Sequence, residues 1–327
     1  MVGSNARATP TVSAIITGYN YARFLPGAIE SVLAQTHLPD EIIVVDDGST
    51  DETAEVVGRY AEWGVRYIYR PNGGASAARN TGIRASHGDL IAFLDADDRW
   101  LPEKTTLQLA HFARFPWLGI VTGSECQTYE SGGKPFFLYR KPVGAASFYP
   151  VILVENTIGN PSLAIVKRHC FESVGLFDES IALGQDWEMW IRIARNFEVG
   201  VVGAVLILFT RHAKSLTSDM IEARAASNRQ IQRRYIGQVR SPLKRIRLTA
   251  AARSMTLYYM AASIAEKPSS RRAALALTLA STLLDPSYEA RNKAGLLLRA
   301  AFGRPAFDLA KRLLSRTEVV PSPTPGS

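Results

Sequence analysis

The sequence predicts an α/β protein, with a mostly parallel sheet and helices on both faces, followed by a helical C-terminal region. Three observations predict it. Short β-branched runs alternate with amphipathic stretches over the first hundred residues, which is the pattern of β-α-β units. Those runs end in polar clusters, most sharply at Asp95-Ala96-Asp97-Asp98, and in such sheets ligands bind at the carboxyl ends of the strands. From Ile221 onward, Ala/Leu-rich segments carrying arginines are broken only near Ser241-Pro242, Lys267-Pro268, Asp285-Pro286 and Gly303-Arg304-Pro305.

Each element follows from its residues. Thr11 to Thr17 is a β-branched run bounded by Pro10 and Gly18, a first buried strand that delivers Tyr19 and Asn20 to its end. From Phe24 to Gln35, Leu25, Ala28, Ile29, Val32 and Leu33 recur at helical spacing, and Pro26 is acceptable in the first turn. Glu41 to Val45 is the second strand and ends in Asp46-Asp47-Gly48-Ser49-Thr50. A helix over 53–63 and an alternating strand, Val65 to Tyr69, come next. Gly73-Gly74-Ala75-Ser76 opens a further helix through Ala77, Ala78 and Ile83. The run from Asp89 then carries the chain, as a buried strand, into the acidic cluster. Leu183 to Ala194 has helical spacing, and Val199 to Phe209, too short to span a bilayer and interrupted by glycines, reads as a strand.

The bulk properties narrow the class. With 327 residues and 46% hydrophobic content the chain can bury a large core. Two cysteines without metal-like spacing make a disulfide framework unsuited and fit a reducing cytosol. Met1 to Pro10 lacks the apolar stretch of a signal peptide. The net charge of +8 is unevenly spread: from residue 221 onward there are 19 Lys/Arg against 6 Asp/Glu, a balance of +13, leaving −5 for residues 1–220. A basic helical half points to an anionic membrane surface, and with no nucleic-acid motif beside it, nucleic acid is not the expected partner. Glu318 to Ser327, rich in Pro, Ser and Thr, is expected to be a disordered tail.

Carboxylates crowded as they are in 95–98 repel one another unless a cation or a set of donors holds them ionised. A divalent magnesium or manganese ion, completed by the oxygens of a substrate diphosphate, answers that need. A solvated acidic turn is the plain alternative. The same sheet-edge rule brings Thr17-Tyr19, Asp46-Asp47 and Asp95-Asp98 to one cleft.

Four segments, Ser13 to Asn20, Ile43 to Asp51, Gly74 to Gly82 and Phe93 to Asp98, closely resemble in sequence and order the family 2 glycosyltransferases of the GT-A fold, over roughly residues 11–215. The likeness is to the non-processive enzymes of bacterial polysaccharide biosynthesis. It implies a metal-dependent enzyme that moves a sugar, with inversion, from a nucleotide-diphosphate donor, a UDP-sugar above all, to a hydroxyl of a glycan or lipid-linked acceptor. The organisation then reads as a tail (1–10), a GT-A domain (11–220, with a nucleotide-binding half 11–100 and an acceptor half 101–220), a basic helical region (221–316) and a second tail (317–327). A cytoplasmic protein, peripheral on the inner face of the membrane, is the expected setting.

By that resemblance Asp47 accepts the imino N–H of the base, favouring uracil or thymine over cytosine, while Asp46 is structural or ribose-adjacent. Thr17 and Tyr19 lie on the neighbouring strand end, where the Tyr19 ring can stack on the base. Arg79, near a helix N-terminus, faces the diphosphate. Asp97 is the primary metal ligand, with Asp95 at the ribose or the metal's shell, and His212 in Thr210 to Ser215 completes the metal or phosphate site. Asp186 matches the family's general base, although Gln185 stands where a glutamate is commoner. Glu188, Trp187 and Trp190 fall on the acceptor side, and Asn160-Pro161-Ser162 in the acceptor-binding region. Processive synthases carry transmembrane helices and a Gln-x-x-Arg-Trp motif, neither of which is present. A pyrophosphorylase would open with an Arg-containing Gly-rich loop, which Gly18-Tyr19-Asn20 is not. A degenerate nucleotide-sugar-binding scaffold would have no reason to keep both Asp97 and Asp186.

Overall fold

The computed structural model describes residues 9–132, 134–138, 148–212, 221–264 and 270–285, together with 293, 296 and 297. The chain divides into two compact units, 1–228 and 229–327. The expected N-terminal tail up to residue 8, Ala213 to Ser215, the breaks at Lys267-Pro268 and Gly303-Arg304-Pro305, and the C-terminal tail lie outside the described residues.

The first unit is built on nine strands among the described residues. The N-terminal half runs β1 (Val12–Gly18), α1 (Leu25–Leu33), β2 (Glu41–Asp46), α2 (Thr53–Gly58), β3 (Val65–Tyr69), α3 (Ala75–Ala85) and β4 (Leu90–Asp95). It is followed by β5 (Arg99–Trp100), α4 (Lys104–Arg114), β6 (Leu118–Tyr129), β7 (Phe136–Leu138), a broken turn α5 (Phe148–Val151), β8 (Ile165–Lys167), α6 (Arg168–Val174), α7 (Gln185–Asn196) and β9 (Glu198–Arg211). The expected helix over 53–63 stops at Gly58 and resumes as a 3-10 turn, Ala61–Trp63, which Gly64 closes in the left-handed region (φ 76°).

The sheet order is β3-β2-β1-β4-β8-β6-β9-β5, with β7 beside β6. Its first half is parallel, as expected: β1 pairs with β2 and β4, and β2 with β3. The second half is mixed, because β-α-β alternation ends at β4; β8 runs antiparallel to both β4 and β6, and β9 is parallel to β6. The sheet is therefore a mixed one. β5 begins four residues after β4 ends, yet it pairs with β9 at the far edge of the order. Only a sheet curled on itself satisfies both connections, and the linking residues are Ala96-Asp97-Asp98.

The core explains the strands' composition. Val12, Ala14, Ile15, Ile16, Ile43, Val45, Ile91, Ala92 and Leu94 are fully shielded from solvent, as the middle strands of a sheet covered on both faces must be. α1 buries Leu25, Ala28, Ile29 and Val32, at the spacing read from the sequence.

Helix α8 (Ile221–Ile236) contains the division between the units, and the second unit holds α9 (Pro242–Ile264) and α10 (Arg271–Leu284). α9 and α10 pack through Ala261 and Ala274 with Leu296. The buried Lys293 ammonium donates to Ser254 Oγ (2.8 Å) and to the carbonyls of Ser281 (3.2 Å) and Asp285 (2.5 Å). No helix among the described residues is long and apolar enough to cross a membrane.

Candidate active site

The strand register brings the three expected strand ends together. Thr17 lies opposite Asp95 on one side and Val45 on the other, and Gly18 lies opposite Asp46. The loops beyond them are stitched: Asn20 Oδ1 accepts from Thr50 N (2.8 Å), and Asn20 N donates to Ser49 Oγ (2.8 Å). Thr17 is buried there, while Tyr19 is 46% exposed at the rim, with its ring open to solvent.

Asp46 and Asp47 separate in role. Asp46 is a turn residue: Oδ1 accepts from Ser49 N (2.8 Å) and Oδ2 from the Tyr67 hydroxyl (2.6 Å). Asp47 accepts from Gly74 N (2.7 Å), from Gly73 N (3.1 Å) and from the Arg70 guanidinium. It therefore fixes the glycine turn from which α3 starts. Gly73 N is shared with the second oxygen (3.3 Å), so of about four lone-pair positions the last is held only by that long branch and is open to a stronger donor.

α3 carries Arg79 inward. The side chain is buried (4% exposed), its Nη2 donates to Asp95 Oδ1 (2.6 Å), and its Nε and Nη1 meet no acceptor among the described residues. Buried donors are rarely left without partners. A guanidinium with one nitrogen engaged and the other two open is what an anionic ligand's oxygens would complete.

The acidic cluster is likewise divided. Asp97 Oδ2 is 2.9 Å from His212 Nε2, and the His212 ring packs between Tyr21 (5.5 Å between centroids) and Phe24 (4.7 Å). Burial, then the Asp95 charge, pushes the Asp97 carboxyl above its ordinary range, and His212 opposes that shift. Asp98 is buried: its Oδ2 accepts from Ser162 Oγ (2.6 Å) and its Oδ1 from Thr210 N (3.2 Å). Ser162 Oγ also accepts from Asp95 N (3.0 Å), so Asn160-Pro161-Ser162 braces the acidic cluster. Burial, with the charges of Asp97 and Asp95 adding, holds the Asp98 carboxyl well above the carboxylate range.

Among the described residues no group of three or more His, Cys, Asp or Glu side chains is arranged to hold a metal ion. The donor set that is present, Asp97 with His212, fits a hard divalent cation whose remaining positions are filled by substrate phosphate oxygens and water.

Asp186 is the second residue of α7, whose N-cap is Gly184, so it is not the cap itself. Its Oδ2 accepts from Asn156 Nδ2 (3.1 Å). Burial raises its pKa, and Asp95 adds to the rise; Arg224 opposes it most, followed by the Trp187 backbone N–H and Arg79. Asp186, Arg79 and Asp95 thus share one electrostatic neighbourhood. Three expectations on α7 are corrected by packing. Trp187 and Trp190 are core residues, their indole N–H groups donating to Ile152 O (2.6 Å) and Gly159 O (2.9 Å), so neither offers a ring face to an acceptor. Glu188 is buried and paired with Arg192 (2.8 Å), facing the carbonyls of 174–176 that the same arginine binds. The helical spacing of these three was a core signal.

Sequence reasoning missed Tyr21 and Phe24 around His212, Asn156 beside Asp186, and Arg224 on α8. The aromatic spacing in Tyr19-Asn20-Tyr21-Ala22-Arg23-Phe24 was a usable signal for the first pair. Arg224 had none, since only the return of α8 to α7, marked by Ser227 Oγ donating to Leu183 O (2.5 Å), brings it near.

A family model described as glycosyl transferase family 2 matches residues 13–164. An uncharacterized glycosyltransferase of Rickettsia prowazekii (strain Madrid E) is 32% identical over 219 residues, covering 65% of this chain and 68% of that protein. The uncharacterized glycosyltransferase EpsJ of Bacillus subtilis (strain 168) is 29% identical over 253 residues, covering 70% and 69%. Among solved structures, S. aureus TarS 1–349 in complex with UDP-GlcNAc has a TM-score of 0.64 at 17% identity, covering 94% of this chain and 92% of that one. The mannosyltransferase PcManGT from Pyrobaculum calidifontis, in complex with GDP-Man and Mn2+, has a TM-score of 0.57 at 22% identity, covering 90% and 87%. At these identities the structural likeness is one of fold.

Proposed function

The chain belongs to glycosyl transferase family 2, and from that premise we propose that it is an inverting, metal-dependent transferase that moves a sugar from a UDP-sugar to a hydroxyl of a glycan or lipid-linked acceptor. The observation that carries this reading is the meeting of Arg79, with two open buried nitrogens, Asp95, and the Asp186 carboxylate in one neighbourhood at the strand ends. Asp47 uses its remaining lone pair for the N–H of the base, with Tyr19 stacking from the exposed rim and Thr17 beside it. Asp95 takes the ribose, and the open nitrogens of Arg79 take the diphosphate. Nucleotide-sugar and nucleotide complexes of the fold neighbours, with UDP-GlcNAc in one and GDP-Man and Mn2+ in another, support a donor of this kind.

Asp97 and His212 would hold the divalent ion, manganese or magnesium, which when bound neutralises charge on the leaving diphosphate. The protein's own chemistry is proton transfer and orientation. As the acceptor oxygen forms its bond to the anomeric carbon, Asp186 removes the hydroxyl proton on the face opposite the diphosphate. The carbon–oxygen bond to the β-phosphate breaks with its electron pair staying on the diphosphate. Because burial disfavours the charged form, Asp186 is a stronger base than an exposed aspartate.

The second unit supplies a place for the reaction. Residues 229–264 contain eight Lys/Arg and no Asp/Glu, and Leu243 (73%) and Ile246 (66%) stand exposed among Lys244, Arg245 and Arg247. That combination suits peripheral binding to an anionic membrane on the cytoplasmic side.

The donor reading is tested by calorimetry of UDP and UDP-sugars with manganese. Wild type should bind in a metal-dependent manner, and Asp97→Ala should lose that dependence while keeping its fold. Unchanged, metal-independent affinity in the variant would remove Asp97 from the site.

A further inference from the structure

The loop that precedes the short 3-10 turn at Pro161 is tied to the helix that carries Asp186 in a way none of the roles above explains. Asn156 Oδ1 accepts from Gly159 N (3.0 Å), and its Nδ2 donates to Gly159 O (3.2 Å) and to Asp186 Oδ2 (3.1 Å). A flipped amide would set oxygen against oxygen and N–H against N–H at Gly159, so this pair of bonds dictates that the amino end faces Asp186. Gly159 itself sits in the left-handed region (φ 97°), a conformation that favours glycine. Its carbonyl also accepts the Trp190 indole N–H, one helical turn beyond Asp186 on α7. The 156–159 loop is therefore clamped to α7 at both the i and i+4 positions.

Resting on the reading of Asp186 as general base, we propose that Asn156 is its positioning residue, holding the carboxylate in one orientation by a donor whose own direction is locked by Gly159. A hydrogen bond donated to a carboxylate favours its charged form, so this contact works in the same direction as Arg224 and the Trp187 backbone N–H, against the burial that raises the Asp186 pKa. The charged groups around it come from three other elements: Arg224 on α8 and Arg79 on α3 favour the carboxylate, and Asp95 at the end of β4 opposes it. Among the described residues none of these three hydrogen-bonds Asp186. Asn156 is the side chain that does.

The test uses the full-length chain, with 13C-labelled aspartate carboxyls titrated by NMR and the Asp186 signal assigned by its loss in Asp186→Asn. In Asn156→Ala the Asp186 carboxyl should titrate about one pH unit higher, the size of a lost hydrogen bond to a charged group. In Asn156→Asp, which keeps the shape and serves if the alanine variant fails to fold, the second carboxylate should drive it higher still. The acidic limb of kcat/KM for donor turnover should move up by the same amounts, with affinity for UDP unchanged within twofold. An unmoved Asp186 titration with activity lowered equally at every pH would overturn the proposal and leave Asn156 as a loop residue. Full transfer by Asp186→Asn would instead overturn the base reading, whatever the titration shows.

Discussion

Replacing Gly82 with alanine tests how the fold aims Arg79. Gly82 lies on the face of α3 that packs on β1, and a Cβ built there falls 2.3 Å from Ile15 Cγ2 and 3.2 Å from its Cδ1. Carbon atoms in contact sit about 3.5–4.0 Å apart. Ile15 is fully buried and flanked in register by Ile43 and Phe93, so the strand cannot retreat and α3 must lift. Overpacking of this kind costs about 1–3 kcal/mol, from which the better helix propensity of alanine returns about 0.5–1 kcal/mol. A clash of 2.3 Å with a fully buried side chain belongs at the upper end of that cost, so the net loss is about 2–2.5 kcal/mol, or a Tm about 4–10 °C lower for a unit of this size. Lifting α3 also draws Arg79, one turn earlier, away from Asp95, so UDP affinity should fall with stability. Calorimetric melting of Gly82→Ala, Ile15→Ala and the double variant gives the coupling. The double variant should be less destabilised than the sum of the singles by about 1 kcal/mol or more, because alanine then fills space that isoleucine vacated. A stabilised Gly82→Ala, or strict additivity, would refute the close packing of α3 on β1.

Two further outcomes are expected. Cys170 is fully buried, and burial pushes its thiol up to about 12, while Cys126 is also buried; neither should be alkylated by iodoacetamide at pH 8 until the protein is unfolded. Rapid native labelling followed by mass spectrometry would contradict the packing of α6 against β6. The intact chain should sediment with anionic liposomes at low salt and be released as salt rises, and removal of 229–327 should reduce the effect; an intact chain that ignores such vesicles at low salt would assign the basic helices to a solvated face.

The N-terminal half of the sheet was legible because local pattern and tertiary position coincide there. β-branched runs such as Ile42 to Val45 are buried, and their polar ends lie side by side at one edge of the sheet, so the strand pattern alone brings Asp47 and Asp95 to that edge. The second half resisted for a physical reason: its strands pair across long sequence distances, as β8 does with β4 and β5 with β9, and nothing local announces such partners. The acidic cluster was recognised as a unit, yet its members diverge, since Arg79, His212 and Ser162 arrive from three separate elements to claim Asp95, Asp97 and Asp98. Trp187 and Trp190 show the converse case, where a core reading and a binding reading both fit the sequence and burial favours the core. Aromatic residues next to a catalytic candidate invited a binding role, but their helical spacing and their indole hydrogen bonds belong to the core.

The central claim, that Asp186 removes the acceptor proton in a glycosyl transfer, is tested most directly by comparing Asp186→Asn with wild type in transfer and in donor affinity. The substitution keeps the side chain's size and an oxygen that can accept from Asn156, so the fold and UDP-sugar binding should survive. Turnover to an identified acceptor should fall on the order of 100-fold or more. Near-wild-type transfer by the variant, at unchanged donor affinity, would contradict the account.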